Sequence, residues 1–416
     1  MISIPQALAE SAQARSRTRR LRILFVISAY YPAVRYGGPI RVVHGLAAAL
    51  VRRGHEVHVY TTSVDGNSDL DVPLDRPVDL EGVQVHYFRV PALRRLWWAP
   101  ALGRKLRGSV AGFDVVHIHA VFLWPMWAAA RVAARARVPY VVSPHGMLIR
   151  DVMRRKNRWV KKAWVTLIER RTLAGAGAVH VTAPLEGAEL AALGLAAPSA
   201  ITEVPLGVDL PAARLPLAET PIGDLPPRYV LFLSRISWKK GLDRLIAAWQ
   251  QIEEVPLVIA GNDDEGYRPK LQALARELGV ADRVIFLGAV SDAHKWALFE
   301  RADVFVLPSY SENFGVVVAE AMAMGCPVVV SPETGIASLI CAERAGIVTR
   351  CEPPELAAAV ARLLADPARR AELGRRGREA VRARLSWPAI AEQMERLYGR
   401  VVQGSAYGQR ARAVAR

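Results

Sequence analysis

The sequence predicts an α/β protein of two doubly wound, parallel-sheet domains facing a central cleft. Three observations lead there. Short apolar runs alternate with longer amphipathic ones, the pattern of a parallel sheet covered by helices. The scheme occurs twice, separated by the Pro-rich stretch "DLPAARLPLAETPIGDLPPR" (209–228). At 416 residues, 52% of them hydrophobic, the chain is long enough for two sizeable cores.

Taken in order, residues 1–20 read as a disordered basic tail. "RSRTRRLRILFVISAYYPA" has a basic flank and an apolar run, as a secretory signal does, but no small-residue cleavage site follows. The run is therefore assigned to a buried first strand, 21–28. Further strands are expected at "EVHVYTT" (56–62), "VQVHYF" (83–88), "DVVHIHA" (114–120) and "PYVVSPH" (139–145), and a helix at 39–54. Pro39 stands at the start of that helix and Gly54 past its end, the usual asymmetry. The boundaries adopted are a first domain over 21–208, a linker over 209–228, a second domain over 229–385 and a terminal helix over 386–404. Within the second domain strands are expected at 229–235, 256–261, 283–288, 303–309 and 327–331. Helices are expected from about 241 and near 268–279, 292–301 and 315–324.

Charge is unevenly spread. Residues 1–200 hold 28 Lys+Arg and 13 Asp+Glu, a balance of +15; residues 201–416 hold 27 and 26, a balance of +1. The first half is thus suited to something anionic: nucleic acid, membrane lipid or a phosphorylated substrate. No recognisable nucleic-acid motif accompanies it. The three cysteines, Cys326, Cys341 and Cys351, show no metal-ligand spacing, and their odd number argues against a disulfide framework, which fits a reducing cytoplasm. The apolar stretches are too short to cross a bilayer, which takes about 20 residues.

The chemistry concentrates in the second half. In "LFLSRISWKKGLDRLI" (231–246) Arg235 leaves a strand end and Lys240 stands with Gly241 where a helix begins. Two cations at a helix N-terminus suit an anion, because the free N–H groups and the dipole favour negative charge. In "LPSYSENFGVVVAEAMAMG" (307–325) Glu312 lies in a loop after a strand and Glu320 lies on the following helix, with seven residues between them. Carboxylates accept hydrogen bonds from hydroxyls well. The backbone N–H groups of Asn313, Phe314 and Gly315 are candidates for a phosphate. Taken singly, each of these residues also suits a solvated loop or an ordinary helix face. Taken together they suit a diphosphate flanked by hydroxyl groups.

That stretch resembles the E-x7-E signature of the family 4 retaining glycosyltransferases (glycosyl transferases group 1), and the resemblance extends over nearly all the chain after residue 20. "YYPAVRYGGPIRVVHGLAAALVRRGHEVHVYT" (30–61) resembles their first Gly-rich loop and helix. "VPLGVD" (204–209) resembles their interdomain hinge, with Leu206 where Asn is usual. "LSWPAIAEQMERLYGRV" resembles the helix that crosses back to the first domain. The resemblance implies the GT-B fold and transfer of a hexosyl group from a nucleotide-sugar donor, without cofactor or metal. It implies that Arg235 and Lys240 bind the diphosphate, Glu312 contacts the transferred sugar and Glu320 binds the ribose. Gly37 and Gly38 would let the first-domain loop approach the donor, and His145 in "SPHGML" matches an active-site histidine. Ala337 stands where many relatives carry Glu.

The expected mechanism is front-face attack with retention. The leaving phosphate helps deprotonate the acceptor, and positioned cations stabilise the developing charge. Adjacent Asp263 and Asp264 in "NDDEGY" are read as a turn rather than a metal motif. His117 and His119 are assigned to opposite sides of their strand, His119 to the cleft and His117 to the core.

Nine Lys+Arg with Trp159 and Trp164 fall between Arg150 and Arg171. Basic residues mixed with Trp suit an anionic membrane surface. The expected partners are therefore a nucleotide-sugar donor, a saccharide or polyprenyl-diphosphate-linked acceptor and anionic lipid, but not nucleic acid. The expected place is the cytoplasm or the inner face of the plasma membrane, in polysaccharide biosynthesis. A sugar-nucleotide epimerase of the same fold and a non-enzymatic polyanion binder are the alternatives.

Overall fold

Runs of four to seven residues rich in Val, Ile and Leu become buried strands, and the parallel sheets they form are covered on both faces. A computed structural model describes residues 19–33, 36, 38–148, 158–210, 225–253, 255–263 and 265–414. The first half supplies β1 (Arg22–Val26), β2 (Glu56–Thr62), β3 (Val64–Asp65), β4 (Ser68–Asp69), β5 (Val78–Leu80), β6 (Val83–Phe88), β7 (Val115–His119), β8 (Tyr140–Ser143), β9 (Ala178–Val181) and β10 (Ile201–Glu203). The second supplies β11 (Val230–Leu233), β12 (Leu257–Ala260), β13 (Val284–Gly288), β14 (Val304–Leu307), β15 (Val328–Val330) and β16 (Ile347–Val348).

The first sheet has eight strands in the order β10-β9-β8-β7-β1-β2-β6-β5, parallel except for the edge strand β5. The second has six parallel strands in the order β13-β12-β11-β14-β15-β16, in which chain order reverses between β11 and β14. In the first sheet the reversal falls between β1 and β7. Open parallel sheets bind ligands beyond the carboxyl ends of strands at such reversals. The loops after β1, β7, β11 and β14 are therefore the ones expected to build a site.

The Trp387–Val414 helix leaves the second sheet and lays Ile390, Met394, Leu397, Tyr398 and Val401 against the core beneath the first. Charge reinforces that contact. Glu395, 4% exposed, accepts from Arg53 at 2.5 Å and pairs with His55 Nε2 at 2.7 Å. At its start the Trp387 ring is wedged between the Gly38–Arg52 helix and the 204–209 segment. A Cβ added at Gly45 or Gly207 would come within 2.1 or 2.2 Å of that ring.

Expected ends are trimmed where local chemistry stops an element. The helix after "SWKKG" begins at Leu242, because Gly241 adopts φ +67° and caps it. A Cβ there would lie 2.0 Å from the Pro308 carbonyl oxygen, so only glycine fits. Strands β9, β10 and β16 and the helices Pro100–Ser109, Trp124–Arg135 and Pro184–Ala192 were not anticipated. The tail over 1–18 and most of the Pro-rich linker (211–224) lie outside the described residues. Among the described residues no helix is long and apolar enough to cross a membrane.

Candidate active site

The loops after β11 and β14, at the reversal of the second sheet, meet the helix start that follows β1, the loop after β8 and the 206–209 segment around a cavity of about 380 Å³, and the loop after β7 contributes nothing to its wall. Gly38, Arg41, His145, Arg235, Lys240, Glu312, Asn313, Phe314, Gly315, Glu320 and Trp387 are on its wall. Of the residues expected there from sequence, Gly37 lies outside the described residues and His119, assigned to the cleft, is not on the wall; the rest are all present.

Their pairings are more specific than the sequence implied. Arg235 follows β11 and is exposed on the cavity wall. Lys240, at the turn before the Leu242–Ala248 helix, forms a close ion pair with Glu312, 72 positions away. The cation assigned to phosphate and the carboxylate assigned to sugar are thus neighbours. Glu312 is held by its loop: its N–H donates to Glu333 O at 3.0 Å and its carbonyl accepts from Gly335 N at 3.0 Å.

Glu320 lies on the Val316–Met324 helix, which opens at Gly315 (φ +94°). Burial raises the Glu320 carboxyl above the usual range, opposed by Lys295, whose Nζ lies 2.7 Å from Oε1. Two side chains differ from their expected use. Phe314 is 4% exposed and part of the second core, so only its backbone remains for a ligand. The Asn313 amide points across the cleft and donates to Thr182 Oγ1 at 2.9 Å. Its Oδ1 is buried without a partner.

His145 adopts φ +53°, uncommon for a residue with a side chain, in the loop after β8. Burial, and secondarily His180, push it down to about 3, so it enters the cavity as a neutral imidazole. Its Nε2 lies 3.1 Å from His119 Nδ1.

The opposite-face assignment of His117 and His119 is overturned. Residues two apart in a strand point to the same face, and the two rings lie 4.0 Å apart between centroids. Both are buried, at 0% and 1% exposure. The hydrogen-bond polarity of their neighbourhood follows from one fixed end. His180 Nε2 faces the Val204 carbonyl at 2.8 Å and must donate. His180 Nδ1 therefore accepts from the Ser143 hydroxyl at 2.6 Å. Ser143 Oγ then accepts from His117 Nε2 at 2.6 Å, and His117 Nδ1 accepts from the Tyr398 hydroxyl at 2.7 Å. This chain joins the terminal helix to the 204–209 segment through three strands.

Other parts were missed because their signals are not local. Arg41 bonds Asp292 of the opposite domain at 2.9 and 2.8 Å. Glu186, 3% exposed, accepts from the N–H groups of Gly146 at 2.6 Å and Thr182 at 2.9 Å, fixing the His145 loop. Asp263 accepts from the N–H groups of Tyr267 at 2.7 Å and Arg268 at 3.0 Å and so caps a helix, while Asp264 lies outside the described residues.

Comparison with known proteins matches this architecture. Residues 37–207 match the family described as "Glycosyl transferase 4-like domain", and 223–380 match "Glycosyl transferases group 1". An uncharacterized glycosyltransferase of Methanocaldococcus jannaschii is 30% identical over 404 residues, spanning 91% of this chain and 98% of its own. A D-inositol 3-phosphate glycosyltransferase of Xylanimonas cellulosilytica is 30% identical over 391 residues, 88% of this chain and 92% of its own. Sucrose-phosphate synthase from Thermosynechococcus elongatus has a similar structure, with a TM-score of 0.73 at 25% identity over 92% of this chain and 100% of that one. Anabaena HepE, solved with UDP and glucose, aligns at a TM-score of 0.69 and 20% identity over 90% of this chain and 98% of its own, a likeness of fold. On this fold and these matches, the chain belongs to the group 1 glycosyltransferases of the family 4 type.

Proposed function

We propose that the cavity binds a nucleotide sugar and passes its hexosyl group, with retained anomeric configuration, to a saccharide or lipid-linked saccharide. The observation that carries this reading is the convergence of Arg235, Lys240, Glu312 and Glu320 on one cavity of about 380 Å³, within the usual range for small-molecule sites. Arg235 and Lys240 take the diphosphate and stabilise the charge that grows as the glycosidic bond breaks; no metal is needed for that role. Glu312 moves from Lys240 to the sugar. Glu320 accepts from the ribose diol, and Gly38 lets the first-domain loop approach. His145, neutral, serves the acceptor side as a hydrogen-bonding group rather than a cation. Closure of the two domains over the donor excludes water and limits its hydrolysis.

For the acceptor, the first domain offers Trp159 and Leu167, 68% and 63% exposed, beside Lys161 and Lys162. That mixture supports attachment to an anionic cytoplasmic membrane face and a polyprenyl-diphosphate-linked acceptor in surface polysaccharide synthesis. Trp164 does not belong to this patch, since its indole N–H donates to Glu169 at 2.8 Å. Residues 149–157 of the basic stretch lie outside the described residues.

Thermal-shift screening of UDP-, GDP- and ADP-sugars tests the donor reading, because a ligand bound only by the folded state raises its stability. One nucleotide series should raise the midpoint in proportion to the logarithm of its concentration. No shift with any of the three would remove the reading.

A further inference from the structure

Lys295 lies on the Asp292–Arg301 helix, away from the strand-loop-helix units that carry Arg235, Lys240 and Glu312. It is 9% exposed, and a lysine that deep is rarely found unpaired. Its Nζ lies 2.7 Å from Glu320 Oε1, 3.5 Å from Asp292 Oδ1 and 4.4 Å from the Trp296 ring centre. Asp292 in turn holds Arg41 from the first domain. Four alternating charges, Arg41, Asp292, Lys295 and Glu320, thus form a chain whose two ends, Arg41 and Glu320, both stand on the cavity wall. Lys295 itself is not on that wall, whereas Glu320 is.

Glu320 needs such a partner. A carboxyl buried at a cavity wall tends to keep its proton, and a protonated acid has less capacity to accept from hydroxyls. A neutral donor in place of Lys295 would orient Glu320 but would do little against protonation. The ammonium does both, committing one carboxylate oxygen and leaving the other for a ligand.

We infer that Lys295 is a positioning residue of the donor site, holding Glu320 as an oriented anion for the 2′ and 3′ hydroxyls of the donor ribose. The inference rests on the proposed reading of Glu320 as the ribose ligand. It adds a residue outside the E-x7-E stretch, on another helix, that sets how strongly the ribose is held.

The test is calorimetric binding of UDP, or of GDP or ADP if the thermal screen selects it, and of the matching 2′,3′-dideoxy nucleotide. Wild type, Lys295→Met and Lys295→Gln are compared. Wild type should prefer the ribonucleotide by about tenfold or more. Lys295→Met should lose most of that preference, through weaker ribonucleotide binding with dideoxynucleotide binding changed less than threefold. A loss that was merely structural would weaken both ligands alike. If Lys295→Met does not fold, Lys295→Gln, which keeps a donor without the charge, replaces it and should lose at least half of the preference on a logarithmic scale. Preference kept within twofold of wild type overturns the inference while Glu320 remains the ribose ligand. No preference in wild type overturns the reading of Glu320 itself, and the inference with it.

Discussion

Arg41 and Asp292, 251 positions apart in sequence, meet in a two-bond ion pair across the cleft at 2.9 and 2.8 Å. One stands in the first turn of the helix that follows the first Gly-rich loop, the other in the first turn of the helix that carries Lys295. The two domains are therefore bridged at the side of the cavity that Glu320 lines. With exposures of 49% and 57% the pair is solvent-screened, worth no more than about 1 kcal/mol. Arg41→Ala, Asp292→Ala and the double variant should give a coupling energy of about 0.3–1 kcal/mol by denaturant unfolding. Kinetics should show a few-fold loss in kcat/KM for the donor that shrinks as salt is raised. Full additivity of the two single variants in both measurements would remove the bridge.

Turnover should depend on Arg235 and Lys240, the cations proposed to hold the diphosphate, far more than on that bridge. Removing a group that stabilises transition-state charge typically costs on the order of a hundredfold. Arg235→Ala and Lys240→Ala should each lower kcat by about that factor with folding intact, as read by steady-state kinetics and circular dichroism. Lys240→Ala also frees Glu312, so Glu312→Gln in that background should cost less than it does in wild type.

The Trp387 wedge predicts a steric effect with a built-in control. Gly45→Ala places a methyl carbon 2.1 Å from the ring, and overpacking of this kind costs about 1–3 kcal/mol. The thermal midpoint should fall accordingly. Replacing Trp387 by Phe in the same chain should recover part of the loss. Gly45→Ala with an unchanged midpoint would show the contact to be slack.

The buried histidines predict how stability varies with acid. Burial holds His117 and His119 well below the ordinary imidazole value, His180 at about 4 and His145 at about 3. Below about pH 6.5 the unfolded chain takes up protons that the folded chain refuses, so each group withdraws up to about 1.4 kcal/mol per pH unit as pH falls, until its folded value is reached. The contribution is whole above pH 6.5 and is lost between there and about 4 for His180 or about 3 for His145. Glu169, Glu186 and Glu320, raised by burial, pull the other way in the upper part of that window. The imidazoles are therefore best read directly. Their NMR signals should remain those of neutral rings from pH 7.5 to 5. Titration of His117 or His180 near 6.5 would contradict the hydrogen-bond polarity derived from Val204, and titration of His119 or His145 there would contradict their burial as neutral rings.

Much of the framework was legible because it depends on short-range rules. Apolar runs such as "VLFL" after β-breaking prolines, and glycines at helix ends such as Gly315 and Gly325, mark where strands and helices stop whatever surrounds them. The strand-loop-helix units bearing Arg235, Lys240, Glu312 and Glu320 were found for the same reason. The partnerships were not legible. Lys240 with Glu312, Lys295 with Glu320 and Asn313 with Thr182 are set by which loops the two sheets bring together, and spacing in the chain carries no trace of that. His117 and His119 differ in kind, since the two-residue period of a strand already places them on one face, and applying it would have found the buried cluster.

The proposed function stands on a nucleotide sugar lying in the cleft with its diphosphate against Arg235 and Lys240 and its ribose against Glu320. A crystal structure of the protein with an intact donor decides the matter. Guanidinium and ammonium nitrogens should lie within about 3 Å of diphosphate oxygens, and a Glu320 oxygen within the same reach of a ribose hydroxyl. A donor bound elsewhere, or in this cleft with Arg235, Lys240 and Glu320 all out of contact, would contradict it.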